Sequence, residues 1–130
     1  MKKFVFLALA VSIFLTVSAF AGQKNFKRIA VAANGKTLSS VVSNRSARSS
    51  YYLIFDNTGK LVETLDNPYR TVRRMAGPSV VDFLAQKGVD VIVAESFGSN
   101  MVNAMKNRSI TYIKFRGTVE GAVKRTLELE

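Results

Sequence analysis

Three arginines stand close together, with no acidic residue among them, in the stretch from Tyr69 to Ser79. Arg70, Arg73 and Arg74 come shortly before Pro78, where a helix is expected to begin. A guanidinium group is a planar fork of N–H donors that fits phosphate or carboxylate oxygens, and a helix N-terminus adds free backbone amides and partial positive charge. This combination indicates recognition of an anion.

The chain has no cysteine and no histidine, which removes most other chemistry. Zinc sites of the usual kind, cysteine-ligated iron-sulfur clusters, serine-histidine triads and cysteine nucleophiles all need one of these side chains. The nine acidic residues are scattered without calcium-loop spacing. A two-metal nuclease would need clustered carboxylates, but the segment 29–33 has none and Asp56 falls at the far end of its strand. We therefore expect no catalytic residues and no metal site.

The N-terminus has the pattern of an export signal. Two lysines precede an apolar run from Phe4 to Val17, which is short for a bilayer span, and Ala19-Phe20-Ala21 resembles a signal peptidase site. We expect residues 1–21 to be a signal peptide that is cleaved after Ala21, so that the protein is periplasmic or secreted. An uncleaved membrane anchor is the alternative. No second apolar segment of spanning length follows.

The mature chain has the size of a single domain. It would contain 109 residues, with 22–27 as a flexible N-terminus and 28–130 as one domain. Its 17 basic and nine acidic residues give a net charge of about +8, which favours phosphorylated or carboxylated ligands, nucleic acid or anionic lipid as partners. Without disulfides, its stability must come from an apolar core.

Apolar and β-branched segments predict five strands. They are Ile29–Ala33, Tyr51–Asp56, Lys60–Asp66, Val89–Ala94 and Ile110–Phe115, the second and third forming a hairpin around Asn57-Thr58-Gly59. The serine-rich segment 36–50 is expected to be a long ordered loop, with Leu38, Val41 and Val42 packed on the core.

Helical spacing predicts three helices in the second half of the chain. The first begins at Pro78 and ends at Gly88, the second opens at Gly98 and Ser99, and the third follows Gly117-Thr118. Met101 and Met105 share one stripe of the second helix and are interpreted as core residues. Right-handed crossovers and the hairpin predict an α/β fold with a five-stranded mixed sheet in the order 3-2-1-4-5, covered by the helices.

Five segments of the chain together resemble the dinitrogenase iron-molybdenum cofactor biosynthesis family. They are Arg28–Gly35, Tyr52–Asp56, Asp66–Pro68, Gly88–Ala94 and Gly117–Val123. The resemblance implies a single-domain, three-layer ribonuclease H-like fold and a non-catalytic role, since relatives bind or carry metal clusters and related cofactors. Members often have histidine, cysteine or glycine in the loop after Asn-Pro, where this chain has Tyr69–Met75. Any metal cluster would therefore be held through its anionic groups.

The predicted topology gathers the candidate ligand-binding residues at one end of the sheet. The first, third, fourth and fifth strands run in the same direction, so the segments that follow them meet where ligands of open α/β sheets bind. Six of the nine arginines and the beginnings of all three helices fall there. The candidate residues are Arg45, Arg48, Arg70, Arg73, Arg74, Gly77, Ser79, Gly98, Ser99, Asn100, Arg116, Gly117 and Thr118.

An enzyme is the least favoured of the functions considered, for the reasons given above, which leaves two functional interpretations and one purely structural one. The first is a non-enzymatic protein that binds a small anion or an anionic metal complex at an arginine-rich rim. The second is a basic module that binds nucleic acid or an anionic surface, with steep salt dependence. In the third, the arginines are only solvated or pair with Glu95 and Asp66, which would carry little energetic consequence.

Overall fold

The computed structural model describes residues 25–129. The predicted signal peptide, residues 1–21, lies outside them. Five strands and three helices follow one another along the chain. They are β1 (Arg28–Ala33), β2 (Tyr51–Asp56), β3 (Leu61–Asp66), α1 (Ala76–Gln86), β4 (Val91–Ala94), α2 (Ser99–Asn107), β5 (Thr111–Lys114) and α3 (Val119–Glu128), with a short 3-10 helix at Ser46–Arg48. None of the helices in this part of the chain is long and apolar enough to cross a membrane.

The strands form one mixed sheet in the order β3-β2-β1-β4-β5, which confirms the predicted α/β topology. β2 is antiparallel to both of its neighbours, while β1, β4 and β5 are parallel. Consequently β1, β3, β4 and β5 end at the same edge of the sheet, and the loops that follow them are neighbours.

Each face of the sheet has its own apolar core, because successive side chains of a strand point to opposite faces. Ala30 and Ala32 of β1 face α1 and α2, together with Leu84 and Met105. The alternate residues of β1 face α3, where Val119, Ala122 and Val123 pack. Residues 29–33 are completely buried, and burying a Val or Ile side chain contributes about 1.5–3 kcal/mol.

Several element boundaries differ from the sequence-based expectation. α1 begins at Ala76, two residues before Pro78. β4 begins at Val91, two residues later than expected, and the amide of Val89 donates to the carbonyl of Leu84 near the end of α1. The Asp90 carboxylate accepts hydrogen bonds from the amides of Lys27 and Arg28, at 2.9 and 3.1 Å. β3 begins at Leu61, one residue later than expected, and Lys60 belongs to the hairpin turn, where its amide donates to the Asp56 carboxylate.

Three apolar residues also lie differently from the expectation. Of the residues predicted to pack from the long loop, Val42 is buried, but Leu38 and Val41 are exposed. Phe26 is buried against the α3 side of the sheet, although residues 22–27 were expected to be flexible. The α3-side core therefore includes Phe26, which precedes the expected domain boundary at Arg28. Met101 and Met105 are buried, which confirms them as core residues.

Candidate functional site

A cavity of about 430 Å³ opens at the edge of the sheet where β1, β3, β4 and β5 end. It lies between the 3-10 helix, the start of α1 and the start of α2, and we call it the sheet-end cavity. Its lining residues are Arg45, Ser46, Ala47, Arg48, Met75, Ala76, Gly77, Pro78, Ser96, Phe97, Gly98, Ser99, Asn100 and Met101. Pockets of roughly 300–1,000 Å³ hold small organic ligands, so this cavity exceeds what one oxyanion requires.

The N-termini of α1 and α2 both face the sheet-end cavity. Neither N-cap residue, Met75 or Gly98, caps its helix through a side-chain hydrogen bond within the described chain, and neither first turn contains an acidic residue. The first amides of a helix have no intrahelical acceptor, and each N-terminus carries roughly half a positive charge. Two partial positive charges and two sets of amide donors are therefore directed at one cavity.

Gly77 allows the two helix N-termini to approach each other. A Cβ atom at this position would lie 2.8 Å from Cβ of Met101 and 3.2 Å from its Cα. Contacts below 3.0 Å are not tolerated without movement, and here the neighbour includes backbone. The small residue at Gly77 thus fixes the separation of α1 and α2 at the mouth of the cavity.

The N-terminus of α3 differs from the other two, because its first amides are already bonded. The amide of Val119 donates to the carbonyl of Ser40 and that of Glu120 to the carbonyl of Leu38, both at 2.9 Å. The Thr118 hydroxyl accepts from the amide of Gly121. We expected all three helices to present free amides, and for α3 this expectation is wrong: the loop after β1 folds over its N-terminus.

Two arginines border the cavity from the 3-10 helix, and they have different surroundings. Arg48 is half-buried, and its Nη1 donates to the carbonyl of Arg70 at 3.1 Å and to that of Val72. Arg45 is exposed at the N-cap of the 3-10 helix, with a guanidinium group for which no ion pair occurs among residues 25–129. Arg45 is therefore free to meet a ligand, whereas Arg48 also holds the neighbouring loop.

Backbone hydrogen bonds hold the 3-10 helix beside the loop after β4. The amide of Ser46 donates to the carbonyl of Ser96 at 3.1 Å, and the amide of Glu95 donates to the carbonyl of Ser43 at 3.0 Å. The Ser96 hydroxyl donates to the carbonyl of Asn44. These bonds connect the segment that carries Arg45 to the segment that begins α2, and so they link two sides of the cavity.

A buried hydrogen bond from β2 holds the 3-10 helix against the sheet. The hydroxyl of Tyr52 donates to the carbonyl of Ser46, and burial raises the pKa of Tyr52 to about 12. Tyr52 therefore remains protonated at every physiological pH and acts here as a hydrogen-bond donor.

The structure brings together only part of the predicted site. Six of the candidate residues line the sheet-end cavity: Arg45, Arg48, Gly77, Gly98, Ser99 and Asn100. The others lie outside its lining: Arg70, Arg73, Arg74, Ser79, Arg116, Gly117 and Thr118.

The candidates outside the lining have other surroundings. The amide of Ser79 donates within α1 to the carbonyl of Met75 at 3.0 Å. Arg116 is highly exposed and lies 3.9 Å from Glu95, so the ion pair that we considered as an alternative is present for this residue. Arg70, Arg73 and Arg74 lie on the exposed loop of residues 69–75, which we call the arginine loop.

Sequence reasoning missed two lining residues that could contact a ligand. Phe97 is half-buried, with its ring centroid 5.2 Å from that of Tyr112. Phe97 directly precedes Gly98 in the loop after β4, and this position could have indicated that it borders the site. Met75 is exposed and has a left-handed backbone, with φ of 62° and ψ of 23°. Nothing in its residue type predicts that conformation, which side chains other than Gly, Asn and Asp seldom adopt.

The donors around the cavity determine how it could hold a metal-containing ligand. The chain has no cysteine or histidine, and no group of three potential acidic ligands occurs in the described residues. Backbone N–H groups and guanidinium groups donate hydrogen bonds and do not coordinate metals. The cavity lining contains no thiolate, imidazole or carboxylate group, and its charged side chains are the guanidinium groups of Arg45 and Arg48.

Comparison with known proteins agrees with this architecture. The profile of the family described as dinitrogenase iron-molybdenum cofactor matches residues 27–129. The chain belongs to this family. Among proteins with curated functions, none is detectably similar to it.

Solved structures of similar proteins carry the same fold. The apo form of the orange protein from Desulfovibrio gigas is 28% identical, with a TM-score of 0.74 over 82% of this chain and 91% of that chain. A NifB-like protein from Thermotoga is 35% identical, with a TM-score of 0.68 over 78% of this chain and 88% of that chain. A dinitrogenase-like protein from Methanocaldococcus jannaschii, 15% identical over 82% of this chain and 91% of that chain with a TM-score of 0.50, is similar in fold alone.

Proposed function

We propose that this protein is a non-enzymatic binding protein whose sheet-end cavity takes a small anion or an anionic metal complex. The observation that carries the proposal is the convergence of two helix N-termini, α1 and α2, on one cavity that is also bordered by Arg45 and Arg48. Helix N-termini and guanidinium groups each favour negative charge, and they act together when they face one volume.

The contrast with α3 strengthens this interpretation. Its N-terminus has a threonine cap, an acidic first-turn residue, Glu120, and backbone acceptors for its amides. α1 and α2 have none of these compensating groups within the described chain. A helix end that points into a cavity without a cap gains about 0.3–1 kcal/mol from a nearby negative charge, more when it is partly buried. A bound anion would supply that charge to both helices.

The volume and lining of the cavity favour a ligand larger than a single oxyanion. The anionic groups of such a ligand could contact the backbone amides near Gly77 and Ser99, while Phe97 and Met75 offer apolar contacts to the rest of it. The family name refers to the iron-molybdenum cofactor of dinitrogenase. We therefore propose an anionic molybdenum-containing complex as one candidate cargo, held through its outer anionic atoms because the chain lacks thiolate and imidazole ligands.

Titration calorimetry with phosphate, molybdate and tripolyphosphate tests the proposal. The protein used is the chain from Gly22, which contains the whole described domain. Saturable binding is expected, and Arg45→Gln should weaken it about tenfold or more, because a charge-assisted hydrogen bond contributes about 1.5–3 kcal/mol. The matched control is Arg125→Gln, which removes the same charge from an exposed position of α3 and should change the affinity less than about twofold.

A second variant blocks the cavity without removing an arginine. Ser99→Glu places a carboxylate in the first turn of α2, where it would satisfy the helix N-terminus and compete with the ligand. We expect unchanged or higher stability together with loss of anion binding. Equal losses in Arg45→Gln and Arg125→Gln, or full binding by Ser99→Glu, would contradict a site at the sheet-end cavity.

A further inference from the structure

The arginine loop has a composition and an exposure that the sheet-end cavity does not explain. Each residue from 70 to 75 is exposed. No ion pair involves Arg70, Arg73 or Arg74 within the described chain, although Arg28, Arg108 and Arg116 all pair with acids. The apolar side chains between and after these arginines are exposed as well, Val72 at 38% and Met75 at 63%.

Contacts at the base of the loop hold it in a defined shape. The amide of Tyr69 donates to the side-chain oxygen of Asn67 at 2.9 Å, and the Tyr69 ring packs edge-on against Phe83 with centroids 6.1 Å apart. Arg48 donates to the carbonyls of Arg70 and Val72. A preformed loop loses less conformational entropy when it binds than a disordered one does.

We infer that the arginine loop docks the protein onto the surface of an anionic phospholipid bilayer. The three guanidinium groups would bind headgroup phosphates, for which their planar donors are suited. Val72 and Met75 would enter the boundary between headgroups and acyl chains, as the apolar side chains of interfacial segments do. The two proposed sites use different guanidinium groups, because Arg70, Arg73 and Arg74 lie outside the cavity lining; they adjoin at Met75, which also borders the cavity.

The side chains of the loop favour a bilayer over nucleic acid. Single-stranded nucleic acids are bound by basic grooves with exposed aromatic rings on which bases stack. The exposed apolar residues of this loop are aliphatic, and its one aromatic ring, Tyr69, is half-buried against Phe83. Valine and methionine contribute by leaving water for an apolar phase, which a bilayer offers and a phosphate backbone does not.

Co-sedimentation with vesicles tests the inference. The chain from Gly22 is used, which keeps the apolar N-terminal run out of the assay, and vesicles of equal parts phosphatidylglycerol and phosphatidylcholine are compared with pure phosphatidylcholine. Each basic residue near an anionic membrane contributes about a factor of five to partitioning. The triple variant Arg70→Gln, Arg73→Gln, Arg74→Gln should therefore bind about 100-fold more weakly. The control is a triple variant that removes the same charge from exposed positions on α2 and α3: Lys106→Gln, Lys124→Gln, Arg125→Gln. Its affinity for the mixed vesicles should fall less than about fivefold.

The apolar part of the loop is tested separately. Val72→Ser with Met75→Ser keeps every charge and should still weaken binding to the mixed vesicles about tenfold or more, because two buried apolar side chains are lost. Loss of binding in both loop variants but not in the control triple supports the inference. Equal losses in the two charge triples would overturn it. So would tighter binding to duplex DNA than to the vesicles, combined with no effect of the serine substitutions.

Discussion

The side-chain amide of Asn67 donates a hydrogen bond of 2.9 Å to the carbonyl oxygen of Ala47, twenty residues earlier in the chain. The same amide donates to the carbonyl of Ser49 at 3.0 Å, and the Asn67 side-chain oxygen accepts from the amide of Tyr69. One buried asparagine thus joins the 3-10 helix, which carries Arg48, to the base of the arginine loop. Both proposed surfaces depend on this connection.

We expect Asn67→Ala to lower the free energy of unfolding by about 3 kcal/mol, since three hydrogen bonds of about 1 kcal/mol each are lost. Asn67→Asp should also destabilise, because a carboxylate cannot donate to Ala47 or Ser49 and its charge would be buried. Urea unfolding measures both. The control is Asn103→Ala on the exposed side of α2, with an expected change within about 0.5 kcal/mol. Similar effects at the two positions would contradict the role assigned to Asn67.

Gly77→Ala should destabilise the protein by about 1–3 kcal/mol, because the new methyl group would press on the backbone of Met101. This sign is opposite to helix propensity, since alanine is normally favoured over glycine in a helix by about 1 kcal/mol. The control is Gly98→Ala, where a Cβ meets nothing within 4 Å; its cost should stay below about 1 kcal/mol. Denaturant unfolding separates the two variants, and a more stable Gly77→Ala protein would refute the close approach of α1 and α2.

Met75→Gly should raise stability by about 1 kcal/mol, because glycine adopts the left-handed backbone of this residue without steric cost. Its side chain is exposed, so little apolar burial is lost. Met75→Val should instead lower stability, since a β-branched residue is poorly tolerated at positive φ. Lys106→Gly, in regular helix, serves as the control and should cost about 1 kcal/mol. Thermal unfolding compares the three variants. If Met75→Gly were less stable than the wild type, contacts of the Met75 side chain would stabilise the fold by more than its left-handed backbone destabilises it.

Much of the fold could be predicted because it follows from local patterns. The apolar run at residues 29–33 and the hairpin around Gly59 fixed the centre of the sheet, and right-handed crossovers then left one order for β4 and β5. The start of α1 could not be found in this way. Met75 is neither a usual N-cap residue nor a glycine, so the sequence carries no signal for a helix start at Ala76. Proline is common at the first helical position, and the start was therefore predicted at Pro78, two residues too late.

The candidate site was only partly predictable, because long-range contacts decide which polar groups are available. Strand direction places Arg45 and Gly98 at the same end of the sheet. No local pattern, however, shows that the carbonyls of Leu38 and Ser40 bond the first amides of α3. The same limit applies to Arg48, whose donors are directed at carbonyls 22 and 24 residues away.

The raised pKa of Tyr52, about 12 against an ordinary value of 10.0, makes stability depend on pH in the alkaline range. Below pH 10 the phenol is protonated in both folded and unfolded chains, so its full contribution is present. Above pH 10 the unfolded chain releases this proton while the folded chain retains it, so stability falls as the pH rises towards 12. A rise of this size in the pKa corresponds to a loss of roughly 3 kcal/mol in the free energy of unfolding by the time both states are deprotonated.

Tyr52→Phe isolates this effect. At pH 8 the variant should be about 1 kcal/mol less stable than the wild type, because the hydrogen bond to the carbonyl of Ser46 is lost. Since phenylalanine does not titrate, the stability advantage of the wild type over Tyr52→Phe should shrink above pH 10 and reverse before pH 12. Urea unfolding at several pH values measures the two curves, and Tyr112→Phe on the exposed edge strand should follow the wild type. Parallel curves for wild type and Tyr52→Phe across this range would show that the buried hydroxyl does not control the alkaline stability.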